Sequence, residues 1–564
     1  MKKGILYFKI LKHILRDAIK NFPMNYFVMV ISSLMMSVGF VLQADIEKKL
    51  FDSAYIFISD IGLNNIFFYF VQFVLIYIFT QIMIHISNCA EEIIDFKLQK
   101  KLSKEICMKA SYVSAEYFED SNFLDSIEKS ITGKESAVNI VLCTSSLVFY
   151  YIPYILFMSF WLWKQSPILV FAILLTFIPT VVAYAVQVEV FAKNEDNVAP
   201  LRRKSKVYED SIIGKGHVKE TRILGGFNFF MLKYNEVLNQ ITEFDFNVRK
   251  KRQRLNVILK VIQSVSFISI ILISLYLAVK GKISVGSFAA VFSSIDILFT
   301  NMDEAISRQY GTISESFGTV ENYYKFIKTG NFVKEKCEKG LITKVENVSF
   351  TYPNSDVEAL TNINFEIKPG ERIAVVGENG AGKSTLAKIL LGIYNPSSGK
   401  VYRTTNISKK YTAVFQNYMK YSMSLKDNIV LSNKDSSYDL DDLKMSLSKA
   451  GLDIDKEKFF NGLDTILGKE FGGIELSGGE WQKLAIARGM FREFDFIVFD
   501  EPTSAIDPFE ESNLYDRINK LTRDKTTVII THRMASVKFA DRIFVLKQGE
   551  LIEVGTHQEL INLE

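Results

Sequence analysis

The chain has 564 residues, too many for one compact core at roughly 100–200 residues per domain. Hydrophobic residues make up 48% and charged residues 23%, with 45 Phe, 25 Tyr and only 10 Pro, which excludes disordered, collagen-like and low-complexity classes. The 67 basic and 63 acidic side chains leave a net charge of +4, too small by itself to imply a nucleic-acid partner.

The average hides a division. Long uncharged stretches fill residues 24–303, and an ordinary soluble pattern follows from about residue 331. The N-terminal MKKGILYFKILKHILRDAIKN is basic and amphipathic, with too short an apolar run for a cleavable signal peptide. The cysteines Cys89, Cys107, Cys143 and Cys337 form no CxxC pair, so neither a zinc site nor a disulfide framework is expected.

A membrane span needs about 20 mostly apolar residues. Six stretches qualify: 24–44, 61–90, 136–163, 165–188, 261–279 and 283–302. Orientation follows the positive-inside rule. Lys and Arg crowd the N-terminal segment, the loop 91–135 and the loop 189–254, which includes the run Arg249–Lys250–Lys251–Arg252. The other three loops are short and poor in them. Both termini are therefore expected in the cytoplasm, with the second and fourth spans running on into polar helical projections. The segments YFEDSNFLDSIEKS (117–130) and HVKETRILGGFNFF (217–230) mix aromatic and charged residues, as expected where a rod end docks into a groove on a soluble domain. Within the spans Asp296 stands out, because an intramembrane carboxylate is costly and usually faces a cavity or a partner. It reads as a group contacting a substrate or cation, or as a residue beside a water-filled vestibule. The same two readings apply to His85.

From Leu341 short β-rich runs alternate with amphipathic helices. An apolar strand at Ile373–Val376 enters Gly377–Glu378–Asn379–Gly380–Ala381–Gly382–Lys383–Ser384, followed by a helix. This is a phosphate-binding loop in its required strand–loop–helix context. Glycines let backbone N–H groups close around phosphate oxygens, and the helix N-terminus favours negative charge. Lys383 can reach the β- and γ-phosphates, and Ser384 can ligate Mg²⁺. A second acidic site closes the apolar run 496–499: Asp500 can hold magnesium through water, and Glu501 can polarise an attacking water. Between these motifs, Leu476–Ser477–Gly478–Gly479–Glu480 opens an amphipathic helix and offers a second phosphate-facing surface. That hints at a nucleotide held between two copies.

Together these residues resemble the ATP-binding cassette (ABC) transporters of the exporter type, over nearly the whole chain. The resemblance implies six transmembrane helices with long cytoplasmic extensions over residues 1–328. It also implies an α/β P-loop NTPase domain with a helical subdomain over 329–564. It assigns 377–385, including Thr385, to the Walker A loop and 496–501 to the Walker B strand with catalytic Glu501. Ser477, Gly478, Gly479 and Glu480 become the signature that completes the partner's ATP site. Gln416 matches the Q-loop glutamine that contacts magnesium, and Asp507 the D-loop. His532 matches the switch histidine, and Tyr352 the aromatic that stacks on adenine. The signature usually ends in glutamine, and Glu480 adds a negative charge that weakens ATP binding if it faces the phosphates. Trp481–Gln482 and both loop segments are similar to bacterial peptide exporters, including lasso-peptide and lantibiotic exporters.

The expectation is an ATP hydrolase coupled to export of a peptide or other amphiphilic compound across the cytoplasmic membrane. Its cofactors are ATP and Mg²⁺. Its partners are a second copy, the bilayer and the cargo; a heterodimer with a paralogue is the alternative arrangement. Because the first span begins near residue 24, no leader-peptidase domain is expected ahead of it. Rival readings are a flippase for lipid or lipid-linked saccharide, a multidrug exporter, and a non-pumping ATP-gated channel or regulator. The last class often loses a catalytic glutamate or signature residue, whereas Glu501 and Ser477 are present.

Overall fold

A computed structural model describes residues 2–57, 63–328, 343–402, 411–433, 438–454, 457–503, 508–532 and 537–562. The chain divides into two compact units. One comprises Met1–Ser111 with Asp125–Gly330, the other Tyr112–Leu124 with Asn331–Glu564.

The first unit is helical. In α1 (Lys2–Asn21) Ile10, Ile14 and Ala18 recur every four residues and are buried, while Lys12, Arg16 and Lys20 face outward, as an amphipathic helix requires. Next come α2 (Pro23–Phe57) and α3 (Leu63–Tyr112). The 50 residues of α3 extend roughly 75 Å at 1.5 Å each, more than twice the thickness of a bilayer's hydrocarbon core. The helix must therefore project well beyond it. A run from α4 (Ser121–Ser146) passes through a π-helical turn, Leu147–Tyr151, into α5 (Ile152–Gln165). Pro153 stands near the start of α5; it lacks an N–H for the preceding turn, which accounts for the widened geometry ahead of it. Ser166 is extended, with φ −164° and ψ 126°, because Pro167 follows it. The turn between the third and fourth apolar segments thus falls at Ser166, just past Lys164.

The remaining helices are α6 (Pro167–Ile213), α7 (Val218–Ile223), α8 (Phe227–Val279), α9 (Val285–Asp303) and α10 (Gly311–Lys328), with a second π-helical turn at Glu304–Tyr310. Among the described residues, five stretches are long and apolar enough to cross a membrane: Pro23–Tyr55, Asn64–Tyr112, Ser121–Gln165, Phe227–Val279 and Val285–Lys328. The fourth expected span contributes the shorter apolar stretch Pro167–Pro179. Tyr154, Met158, Leu169, Ile173, Ile270 and Ile295 form the inner core, while Phe67, Phe68 and Leu75 of α3 point outward. Large apolar side chains covering one helix are stable facing hydrocarbon and costly facing water. The chain is a multi-pass membrane protein.

Polar contacts seal α2 to α9. Asp52 accepts the Gly286 N–H at 2.7 Å and the Ser284 hydroxyl at 2.8 Å, and Glu47 accepts the Ser293 hydroxyl at 2.7 Å. Only glycine fits at 286, where a Cβ would lie 2.6 Å from the Asp52 carboxyl carbon.

Among the described residues, the second unit holds two sheets. The antiparallel one has the order β2-β1-β4, from β1 (Thr343–Thr351), β2 (Glu358–Ile367) and β4 (Ser398–Tyr402). The larger has the order β5-β6-β7-β3-β8-β9, from β3 (Arg372–Gly377), β5 (Tyr411–Val414), β6 (Phe496–Asp500), β7 (Thr526–Ile530), β8 (Arg542–Lys547) and β9 (Glu550–Gly555). All its pairs are parallel except β8–β9. Every residue of β6 and β7 is buried, as expected of central strands in a parallel sheet covered on both faces. Helix α11 (Lys383–Leu390) follows β3. The helices α12 (Leu425–Val430), α13 (Leu440–Ala450) and α14 (Gly478–Phe491) share a separate core of Leu443, Leu447, Trp481 and Leu484.

Residues 112–124 pack into this second unit. Ala115 adds to the nucleotide-side core, and three carboxylates of the short turn find partners there. Glu119 accepts the Tyr394 hydroxyl at 2.7 Å, Glu116 accepts the Asn395 N–H at 2.8 Å, and Asp120 accepts the Asn354 amide at 2.6 Å. Burial and the Glu119 carboxylate both push the Tyr394 hydroxyl's pKa up, which keeps it a donor.

Candidate functional site

The loop after β3 folds as its glycines dictate. Gly382 has φ +94°, and a Cβ there would sit 2.6 Å from the Ala359 carbonyl oxygen. Left-handed backbone and close approach together require glycine. The next residue, Lys383, is buried and donates to the carbonyls of Gly377 and Glu378, each at 2.8 Å. Its ammonium is thereby held over the loop rather than beside it. Asn379 and Gly380 form the exposed tip of the loop. Thr385, on the first turn of α11, bonds the Tyr352 hydroxyl at 2.9 Å, and the Tyr352 ring stands edge-on to Tyr394 and Phe350.

Parallel pairing brings the second acidic site to the same sheet end. Asp500 lies opposite Ile530 in the β6–β7 register, and the Glu501 N–H continues the ladder to the Ile530 carbonyl at 3.0 Å. Asp500 is buried, and its Oδ1 has no hydrogen-bond partner. Burial pushes its pKa up, the Ser384 hydroxyl bond pulls it down, and the neighbouring Glu501 charge pushes it up again. A buried carboxylate oxygen left without a donor, next to a hydroxyl, is the oxygen-rich donor set that a hard cation prefers. These residues fit magnesium.

Glu501 is the meeting point. It has φ +48°, uncommon for a residue with a side chain. The Gln416 amide donates to Glu501 Oε2 at 2.7 Å, and His532 Nδ1 lies 3.1 Å from Oε1. The structure therefore joins Gln416, Glu501 and His532 in one chain of contacts at the end of β6, and sets Lys383, Ser384 and Thr385 at the start of α11, where Tyr352, just past β1, bonds Thr385.

The segment 476–480 forms a second cluster. Ser477 caps α14, and its hydroxyl accepts the Glu480 N–H at 3.3 Å. Gly478 and Gly479 occupy the first turn of that helix. The Glu480 carboxylate accepts the Ser477 N–H at 2.8 Å and the Lys458 ammonium at 2.6 Å. Its charge is turned back onto its own helix cap and paired. Two further residues join this cluster to the glutamine segment. Tyr418 donates to the Gly478 carbonyl at 2.8 Å. Arg488 donates to the Met419 carbonyl at 3.1 Å and to Asn428 Oδ1 at 2.6 Å. Neither they nor Lys458 carried a motif; the proximity of Tyr418 to Gln416 was the only signal.

Asp507 lies outside the described residues. Asp296 is on the exposed side of α9. His85 lines an open cleft of about 450 Å³ with Met24, Asn25, Val28, Ile82 and Cys89. Asp296 is not part of that lining.

A family model described as "ABC transporter" matches residues 360–504, the stretch that carries the loop, the Gln416 segment, the 476–480 cluster and Glu501. The chain is 29% identical to the subtilin transport ATP-binding protein SpaT of Bacillus subtilis, over 86% of this chain and 81% of that one. It is 31% identical to the nisin transport ATP-binding protein NisT of Lactococcus lactis subsp. lactis, over 61% of this chain and 60% of that one. It is 27% identical to an ATP-dependent lipid A-core flippase of Aliivibrio fischeri, over 78% and 75%. Its fold is similar to a solved bacterial Atm1-family ABC exporter with ATP bound, with TM-score 0.78 and 21% identity over 97% and 96% of the two chains. Residues 360–504 are an ABC transporter domain, fused to a helical transmembrane region, and the chain as a whole has the fold of an ABC exporter. Its activity is ATP hydrolysis coupled to transport.

Proposed function

We propose that two identical copies export a peptide across the cytoplasmic membrane, with two ATP molecules held between their nucleotide domains. Residues 1–328 form the translocating part and 329–564 the motor, and both termini are cytoplasmic. The observation that carries the catalytic reading is the Glu501 carboxylate, fixed from both sides by Gln416 and His532. Lys383 and the loop N–H groups of 377–385 bind the phosphates, and the Tyr352 ring stacks on adenine. Glu501 orients water and takes its proton as the water oxygen attacks the γ-phosphorus. The bond to the β–γ bridging oxygen breaks, and ADP and phosphate leave. His532 contacts the γ-phosphate. Ser384, with Gln416 and Asp500 in part through water, would hold magnesium, which would supply charge neutralisation at the phosphate oxygens.

Ser477, Gly478 and Gly479 contact the nucleotide of the other copy, with Glu480 beside them and Asp507 at the seam. ATP then favours the closed pair by its differential affinity for it, and that closure drives the spans outward. The first projection couples through Glu116, Glu119 and Asp120. The second, around α7, has exposed Ile223 and Leu224 at 86% and 73%, which supports docking on a partner surface. Asp296 and His85 are proposed to contact cargo or line its path. Peptide cargo is supported by the subtilin and nisin relatives. Lipid is the second reading, supported by the flippase relative.

Glu501→Gln tests the engine. The variant binds ATP and accumulates a closed pair while its turnover falls by about 10²-fold or more; unchanged turnover removes Glu501 from the base role. ATPase stimulation in proteoliposomes by peptides alone supports the peptide reading, and stimulation by lipids alone replaces it with the flippase.

A further inference from the structure

Glu480 places a carboxylate where the ABC signature usually has an amide, at the segment proposed to meet a triphosphate. Left uncompensated, it would repel that ligand through a part-buried path that salt screens in part. Its Oε2 accepts the Ser477 N–H at 2.8 Å and the Lys458 ammonium at 2.6 Å. Lys458 comes from the short turn Glu457–Phe459, 22 residues upstream. That turn is anchored by Phe459, which is buried in the core shared with Leu484 and Trp481. The Lys458 amine also lies over the Phe459 ring, 5.6 Å from its centre. The Lys458 side chain is 34% exposed and that of Glu480 18%, so water and salt screen the pair only in part.

We propose that Lys458 is a positioning residue for ATP: it cancels the Glu480 charge and holds that carboxylate against the Ser477 N–H, leaving a neutral signature with a fixed serine. This rests on the two-copy reading above, in which Ser477 meets nucleotide bound to the other copy. A lysine at 458 thereby does for a signature ending in glutamate what the neutral amide does for one ending in glutamine. The arrangement predicts opposite signs for its two halves. Removing the lysine leaves a bare carboxylate that repels ATP. Removing the carboxylate charge leaves a bare ammonium that attracts it, while the glutamine oxygen still accepts the Ser477 N–H.

The experiment is steady-state ATPase of the full chain in lipid nanodiscs, with MgATP titrated at low and high ionic strength. Lys458→Met is expected to raise KM for ATP by about fivefold with kcat little changed, an effect that shrinks as salt rises. Lys458→Arg retains most of the wild-type affinity. Glu480→Gln lowers KM, and adding it to Lys458→Met relieves most of the loss. A purely structural cap predicts instead that Glu480→Gln raises KM and that the double variant is worse than either single one. An unchanged KM in Lys458→Met, a raised KM in Glu480→Gln, or no relief in the double variant overturns the proposal. If Lys458→Met does not fold, the sign of the Glu480→Gln shift still decides. Glu501→Gln in the same preparation reports separately on the two-copy reading, because failure of that variant to accumulate an ATP-dependent closed pair sinks that reading and not the Lys458–Glu480 pairing.

Discussion

Gln416 donates its side-chain amide to Glu501 Oε2 at 2.7 Å, across 85 residues of chain. Glu501 sits in left-handed backbone at φ +48°, directly after a strand whose every side chain is buried. Its carboxylate therefore moves little from the sheet end, and Gln416 on one oxygen and His532 near the other restrict its rotation.

That restraint makes a ranking. Gln416→Ala frees the carboxylate and lowers kcat by about tenfold, since a misplaced base loses orientation but not basicity. Gln416→Glu sets two carboxylates face to face at hydrogen-bonding distance and lowers it further. ATPase assays at saturating ATP check the order, and equal effects of the two variants count against orientation by Gln416.

The chemistry of this site is written in contiguous runs, which is why it was legible. Residues 377–385 fold into a phosphate loop from their own glycines and the strand before them, and Asp500–Glu501 ends an apolar run. The spans were legible for a similar reason, because twenty apolar residues need no partner to declare themselves. What lay hidden depends on long-range pairing. Nothing about Lys458 marks it as the partner of Glu480, and nothing about Tyr418 places its hydroxyl on Gly478. The first docking segment was expected at 117–130, whereas the structure packs 112–124 into the nucleotide-side unit. The reason is electrostatic. Glu116, Glu119 and Asp120 find donors 234 to 279 residues away, whereas Asp125 turns to Arg203 at 2.8 Å within the helical unit.

The docked turn separates coupling from hydrolysis. Glu116→Ala with Glu119→Ala removes acceptors for the Asn395 N–H and the Tyr394 hydroxyl without touching the phosphate loop or Glu501. Basal ATPase is expected to persist, while stimulation of ATPase by cargo and transport into proteoliposomes fall by about tenfold or more, a coupling loss within the usual range of 1–3 kcal/mol. Equal loss of basal and stimulated activity shows that the turn supports the fold rather than the coupling.

Within the helical unit, Asp52 caps α9 by accepting the Gly286 N–H and the Ser284 hydroxyl. Asp52→Ala leaves those donors short of a partner and costs about 1–2 kcal/mol. Gly286→Val is worse, because its side chain meets the α2 backbone at Lys48 as well as Asp52. Thermal unfolding of the protein in lipid nanodiscs orders them as wild type, Asp52→Ala, Gly286→Val, and a valine variant as stable as wild type refutes the close packing of α2 on α9.

The Glu480 pair also carries a pH signature with a fixed sign. Burial alone would raise the pKa of this carboxyl, but the Lys458 ammonium and the Ser477 N–H outweigh it and hold the carboxyl below the ordinary glutamate range. A group whose pKa is lower in the folded than in the unfolded chain stabilises the fold fully above its unfolded value, and loses that contribution as pH falls through its folded value. The stability advantage of wild type over Glu480→Gln should thus be constant from neutral pH down to about pH 5, and narrow below roughly pH 4. Paired thermal unfolding midpoints across that range measure it. An advantage that grows on acidification reverses the sign and shows that the carboxylate is not held by Lys458.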